Sequence, residues 1–414
     1  MRYSIVVMGQ LLKILTFTFS LAFVASSAIG VSVIAGCGGG SQKKTAKPKK
    51  SRKSAAQWVK EGQRAEKADK LDKAERRYRK AIRLEPGNPK ANKRLVNLLL
   101  AQNRTDDAIQ VGKAFVAADE KNAAAYHLLA DAQLTANEFD KAETTLSILI
   151  DRDPSDPTAF AKRAEARVRN DNLTGGADDL EAALEFDEDN IEYLVSLGSV
   201  YKQQRRPDKA KAMLEEALEL DGDHARAHRI LGTVYRDEIE LDEALSHHLK
   251  AVRLDPESGR AYFELGITQN LRGDNVAAEE ALLQATKLEP QVAINWYAYG
   301  EALRVQGRNE DAIPAYKKTL KLEPNHPKAA NKLGYVLFNA DKIDEAEVVL
   351  TEAVRRNPDS PDPYFNLGFV YEREKKYALA VNSLTRFVEL AAKGDHNIRT
   401  AKKKIRQLSR KIKR

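Results

Sequence analysis

From Ala55 onward, apolar residues recur along the chain at helical spacing. Leu231 and Tyr235 lie four apart, and Leu241, Ala244, Leu245, His248 and Ala251 follow at steps of three and four. Each set falls on one face of an amphipathic α-helix, because residues three and four apart stack above one another. The pattern then repeats. Pro86, Pro154, Pro256, Pro290, Pro324 and Pro358 stand on one lattice with a step of 34 residues. Gly62, Ala130, Ala164, Gly198, Gly232, Gly266, Gly300, Gly334 and Gly368 keep the same step, as do Ala74, Ala108, Ala142, Gly176, Ala210, Ala244, Ala278, Ala312, Ala346 and Ala380. Ten units therefore run from Ala55 to Gly394 with no insertion or deletion. Self-similarity at this period marks a stacked array, in which each unit buries its apolar face only against its neighbours.

Residues 293–326, "AINWYAYGEALRVQGRNEDAIPAYKKTLKLEPNH", carry Trp296, Tyr299, Gly300, Leu303, Ala312, Tyr316, Thr319 and Pro324 in order. This resembles the tetratricopeptide repeat, a helix-turn-helix unit. The resemblance implies an all-α fold: a right-handed α-solenoid of ten repeats over residues 55–394, closed by a basic amphipathic capping helix at 395–414. It also implies a concave face that binds protein partners. Small residues on the two lattices let paired helices approach, and enlarging one is expected to cost about 1–3 kcal/mol. Asp72, Asp106, Asp140, Asp208, Asp242 and Asp344 are expected just before the second helices, where a carboxylate can cap exposed backbone N–H groups, and Glu75, Glu143 and Glu347 three residues on predict capping boxes. Proline at each unit's end stops the second helix.

Three departures stand out. Unit two has Gly112 where bulk is usual and Phe115 where a small residue is usual, which predicts a volume swap. Unit four has Arg163 and Arg167 at usually apolar positions and Gly175-Gly176 opening its second helix, and a hinge is expected there. Pro314 lies inside a helical pattern, placed by its spacing near the first turn, where a missing N–H matters least.

Residues 1–36 have a different pattern. Arg2 and Lys13 are their only charges, and an uncharged apolar run extends from Ile14 to Gly36. That is the layout of an export signal, and "IAGC" at its end resembles the lipobox of bacterial lipoproteins. The resemblance implies cleavage before Cys37 and acylation of Cys37, the only cysteine of the chain. It implies a lipid-anchored protein on the outer membrane facing the periplasm, because Gly38 is not the aspartate that retains such proteins in the inner membrane. An uncleaved transmembrane helix is the alternative, since 23 uncharged residues can span a bilayer. Residues 38–54 have no acid and no large apolar residue and read as a solvated tether spanning about 22 Å on average.

Charge separates along the chain. The net +8 hides a body of −11 between the basic tether and the basic tail, which argues against nucleic-acid binding by the repeats. Both basic ends are candidates for an anionic membrane or envelope surface, and Ile398, Ala401, Ile405, Leu408 and Ile412 share one face of the tail. No phosphate-binding glycine loop, HExxH, GxSxG or paired-cysteine motif occurs, so neither an enzyme nor a bound cofactor is expected. His224, His228, His247 and His248 cluster, but two of them occupy positions where aromatic residues pack in other units, so no metal is expected.

In the resembled family the inner positions of the first helices hold the partner. Here they begin with Lys93, Asn97 and His127, continue with Arg226, Arg229, Arg236 and Arg260, and end with Phe263, Tyr297, Tyr335, Phe338, Phe365 and Phe369. The expected site is an aromatic groove, with Tyr335 and Phe369 its least scaffold-like members, beside an arginine-rich stretch. The expected role is a membrane-anchored scaffold for envelope assembly, in pilus, secretion or cell-wall machinery. An accessory spacer using its basic ends is the alternative.

Overall fold

The computed structural model describes residues 53–326 and 328–413. Cys37, the apolar segment before it and nearly all of the tether lie outside them. The first five units are built from α1 (Ala55–Lys67), α2 (Leu71–Leu84), α3 (Pro89–Ala101), α4 (Thr105–Ala118), α5 (Ala123–Thr135), α6 (Phe139–Arg152), α7 (Pro157–Arg169), α8 (Leu173–Phe186), α9 (Ile191–Gln203) and α10 (Pro207–Leu220). The next five use α11 (Ala225–Asp237), α12 (Leu241–Leu254), α13 (Gly259–Arg272), α14 (Asn275–Leu288), α15 (Ala293–Val305), α16 (Asn309–Leu322), α17 (Ala329–Asn339), α18 (Ile343–Arg356), α19 (Pro361–Arg373) and α20 (Tyr377–Leu390). A last helix, α21 (Asn397–Ile412), completes an all-α solenoid of ten helix pairs and a terminal cap.

Local chemistry repeats with the lattice. The residue before each of the first seven first helices caps it: Ser54, Asn88, Asn122, Asp156, Asn190, His224 and Ser258 each accept a backbone N–H of the opening turn. The turn inside every unit needs one residue of left-handed backbone. It is supplied by Asp69, Asn103, Asn137, Asp171, Arg205, Ile239, Gly273, Gly307, Asp341 and Lys375, all with φ between 54° and 88°.

The expected capping boxes of the second helices do not form. Those helices begin two residues earlier than the boxes require, so Lys70, Glu138 and Lys342 are the cap residues, without side-chain caps. Asp72, Asp140 and Asp344 sit instead in the first turn, where a carboxylate still favours the helix dipole. The three glutamates reach other partners: Glu75 binds Arg79 and Arg104, Glu143 binds Arg167, and Glu347 binds Lys376. For the same reason Pro314 is the sixth residue of α16 and not in its first turn.

Packing follows the small-to-large register. A Cβ on Gly198 would lie 2.7 Å from Leu214 Cγ, so α9 and α10 meet only because that side chain is missing. In unit two the swap is real: Phe115 is buried, and a Cβ on Gly112 would lie 3.0 Å from the backbone of Leu129. Unit four is tied together rather than loosened. Asp179 of α8, 3 % exposed, takes Arg163 in a two-pronged pair at 2.7 and 3.0 Å and Arg167 at 2.9 Å, and Arg167 also reaches Glu143 of α6 at 2.8 Å. The arginines that looked like packing defects therefore neutralise a buried acid and join α6, α7 and α8, which leaves the expected hinge without its rationale. At the end, Ala401 and Leu408 of α21 are buried with Ala380, Leu384 and Phe387 of α20.

Candidate functional site

Successive first helices touch one another, as α1 touches α3, α9 touches α11, and α17 touches α19. Second helices instead contact the first helices on either side of them. The array thus bends with its first helices inside, and their solvent-facing positions form the concave face.

Early on this face, His127 is fixed by Asp156, with 2.7 Å between Nε2 and Oδ2. Lys93 and Asn97 are exposed. Between α7, α9 and α11 the face opens into a hollow of 560 Å³, lined by Ala161, Val168, Val200 and Tyr193 with Lys162, Glu165, Glu192, Ser196, Ser199 and Arg226 around them. Sequence reasoning missed this hollow. It exists because Ala161, Ser196 and Ser199 are small where the face could have been filled. A run of small residues at inner positions of adjacent units was the available signal.

The four arginines do not act alike. Arg226 is exposed and pairs with Glu192 at 2.9 Å on the rim of the hollow. Arg236 is drawn into the scaffold, bound at 2.6 Å to Glu264 of α13, which is itself 8 % exposed. Burial works to raise the Glu264 carboxyl, but Arg236, helped by His248 and Arg229, holds it below the usual carboxylate range. Arg229 and Arg260 form no ion pair among the described residues. Burial, with Arg260 beside it, pushes the Arg229 guanidinium down to about 10. A half-buried cation next to another cation is a ready site for an anion from a partner.

The aromatic strip is mostly scaffold. Phe263 packs against Leu282 and Ala298. The Tyr297 ring lies tilted against His326 at 4.6 Å and Tyr316 at 6.0 Å between ring centres, and burial pushes its hydroxyl up to about 12. Phe338 packs on the cluster of Leu333, Leu337 and Leu350. Phe365 and Phe369 meet edge to face at 4.9 Å and lean on the Phe387 cluster of the cap, with Lys404 Nζ 5.4 Å from the Phe369 ring. Phe369 thus has a structural use that the expected groove did not allow for, because α21 lies where a further first helix would stand. Tyr335, 41 % exposed, is the aromatic that remains open.

The histidines are spent on structure. His224 Nδ1 caps α11 by accepting from Ala227 N at 3.1 Å. His228 donates from Nε2 to the Gly222 carbonyl at 3.1 Å, so its Nδ1 accepts from His247 Nδ1–H at 2.8 Å. His248 donates from Nε2 to the Arg229 carbonyl at 3.2 Å and accepts the Thr268 hydroxyl at 2.9 Å. Among the described residues no group of three or more His, Cys, Asp or Glu is placed to hold a metal.

Comparison with known proteins gives three family models, each described as a tetratricopeptide repeat. One matches residues 59–123, 195–258, 240–293 and 272–330, a second 105–166 and 303–367, and a third 361–393. No curated protein matches the chain. Among solved structures it is similar to MamA, at 25 % identity over 40 % of this chain and 96 % of that one with a TM-score of 0.35. It is also similar to the Cut9–Hcn1 hetero-tetramer of APC/C, at 16 % identity over 86 % and 76 % with a TM-score of 0.48. A third is PilF of Pseudomonas aeruginosa, at 19 % identity over 54 % and 98 % with a TM-score of 0.45.

Proposed function

The chain belongs to the tetratricopeptide repeat family, and from that premise we propose that it is a scaffold lipoprotein of the cell envelope, holding a protein partner along its concave face. The observation that carries this is the inner surface of units four to seven. An apolar-floored hollow of 560 Å³ runs into Arg226, and beyond it Arg229 and Arg260 form no ion pair among the described residues. Such a surface suits an extended segment with small apolar side chains followed by carboxylates: the hollow takes the former and the guanidiniums the latter. Anchoring is supported by the sequence around Cys37, and envelope assembly is the role that an anchored protein-binding array would serve.

Replacing Arg229 and Arg260 by Glu in the full chain tests the reading. Loss of two charge-assisted contacts and gain of two repulsions should weaken partner binding by on the order of a hundredfold or more, as truncating a hydrogen-bonded interfacial charge costs about 2–5 kcal/mol. Unchanged partner affinity with the fold intact would remove this surface from the binding site.

A further inference from the structure

Positive charge is not confined to the segments that flank the array. Residues 53–104 of the folded body hold fifteen Lys and Arg against six Asp and Glu, whereas residues 105–392 hold 35 against 53. The first unit is therefore cationic and the remainder of the repeats strongly acidic. On α2, Lys73, Arg76, Arg77, Lys80 and Arg83 recur at steps of three and four and lie along one stripe. Four of them are exposed, and those four form no ion pair among the described residues. Where the stripe meets α1, three cations crowd one indole: Arg77 Cζ lies 4.7 Å, and Lys53 and Lys80 Nζ each 4.8 Å, from the Trp58 ring centre. Glu61, paired with Lys53 and 3.4 Å from Arg77, is the acid set among them. On the other side of α1, Lys60, Arg64 and Lys67 with Gln63, and Arg94 of α3 with its partner Glu66 at 3.8 Å, line a hollow of 450 Å³. Among the described residues no helix pair precedes α1 and α2, so no described repeat covers this face.

We propose that the N-terminal face of the solenoid, the α2 stripe with Trp58 set into it, docks on an anionic lipid surface. Charge complementarity is one reason. An unopposed row of cations on one face of a helix is drawn to anionic head groups, at about 1 kcal/mol for each Lys or Arg near the surface. Continuity is another, since residues 43–53 directly upstream hold seven Lys and Arg and no acid. Trp58 favours lipid over nucleic acid, because its ring is already occupied by its own cations and is not free to stack a base. Docking by this face would set the first unit flat against the bilayer and point the acidic remainder away from it. The inference adds to the anchoring reading but does not require it, because the face would act with or without an acyl chain.

The test uses the full chain carrying Trp296→Phe, which leaves Trp58 as its only tryptophan. It is added to vesicles of phosphatidylcholine, or of a three-to-one mixture of phosphatidylcholine and phosphatidylglycerol, and iodide quenching of Trp58 is read. Docking predicts protection of Trp58 on the mixed vesicles alone, reversed by high salt. Arg76→Gln with Lys80→Gln should lower the docked-to-undocked ratio about thirtyfold while melting stays unchanged. A chain that sits on both vesicle types with Trp58 equally quenched would overturn docking and leave anchoring intact. Protection that survives Cys37→Ser would support docking even where anchoring fails. Equal protection by single-stranded RNA at the same salt would overturn the lipid assignment.

Discussion

Ile239 is the sharpest local conflict in the chain. It occupies the left-handed position of unit six at φ 67°, where seven other units place Asn, Asp or Gly and two place the unbranched Arg205 and Lys375. A β-branched side chain there is pressed against its own backbone, and an L-residue in this region costs about 1–2 kcal/mol. Nothing in packing offsets the cost, because Ile239 is 80 % exposed. Asn is the natural replacement, since Asn103 and Asn137 hold the same turn at φ 59° and 58°. Ile239→Asn should therefore stabilise the unit by about 1 kcal/mol. A ten-unit array does not unfold in one step, so the gain is best read locally. Amide hydrogen exchange in α11 and α12 should slow about fivefold for that energy. Ile239→Val keeps the branch and should change nothing. Faster or unaltered exchange in the Asn variant would refute the strain argument and assign Ile239 a contact of its own.

Three other outcomes are expected. Asp179→Asn removes the charge that Arg163 and Arg167 share, and because both arginines are only partly buried the loss should be about 3 kcal/mol, read by urea unfolding or hydrogen exchange in unit four. His248 is fully buried, and burial pushes its imidazole from its ordinary 6.5 down to about 4. The unfolded chain then takes up its proton first, so stability is complete above pH 6.5 and falls as pH drops toward 4, by about 3 kcal/mol for this group. His248→Leu, which restores the residue found at Leu214 and Leu282, should keep the fold and make that slope shallower by its own share in pH-dependent unfolding, the rest being carried by His247, which burial and His228 also push down to about 4, while an unchanged slope would assign it elsewhere. Finally, Tyr335→Ala should leave melting unchanged and weaken the partner, whereas Phe369→Ala should loosen α21, visible as faster amide exchange between Asn397 and Ile412. The opposite pairing would exchange their roles.

The solenoid was legible because one register of small and large residues, Gly198 against Leu214 and its equivalents, both sets the packing and repeats in the sequence. What escaped notice was local. The cap lattice from Ser54 to Ser258 and the turn lattice from Asp69 to Lys375 are chemically mixed, so no single residue type flags them, although each position has one conformational task. The capping boxes failed because a two-residue error in a helix start moves a carboxylate from the cap into the first turn. On the concave face, residue type alone did not separate Arg236, which closes on Glu264, from Arg229, which does not. Nor did it separate Phe369, pressed on the cap, from Tyr335. The hollow of units four and five comes from side chains that are small, so its signal was a run of small residues at inner positions and no residue of distinctive chemistry.

The most direct test of the scaffold assignment is photo-cross-linking in living cells, with the reactive side chain placed one position at a time on the two faces. Ser196, Ser199 and Tyr335 on the inner helices are predicted to trap the same discrete partner, and Leu249 and Val348, exposed on α12 and α18 of the outer layer, to trap none. Adducts confined to the outer positions, or equal on both faces, would contradict a partner held in the concave surface.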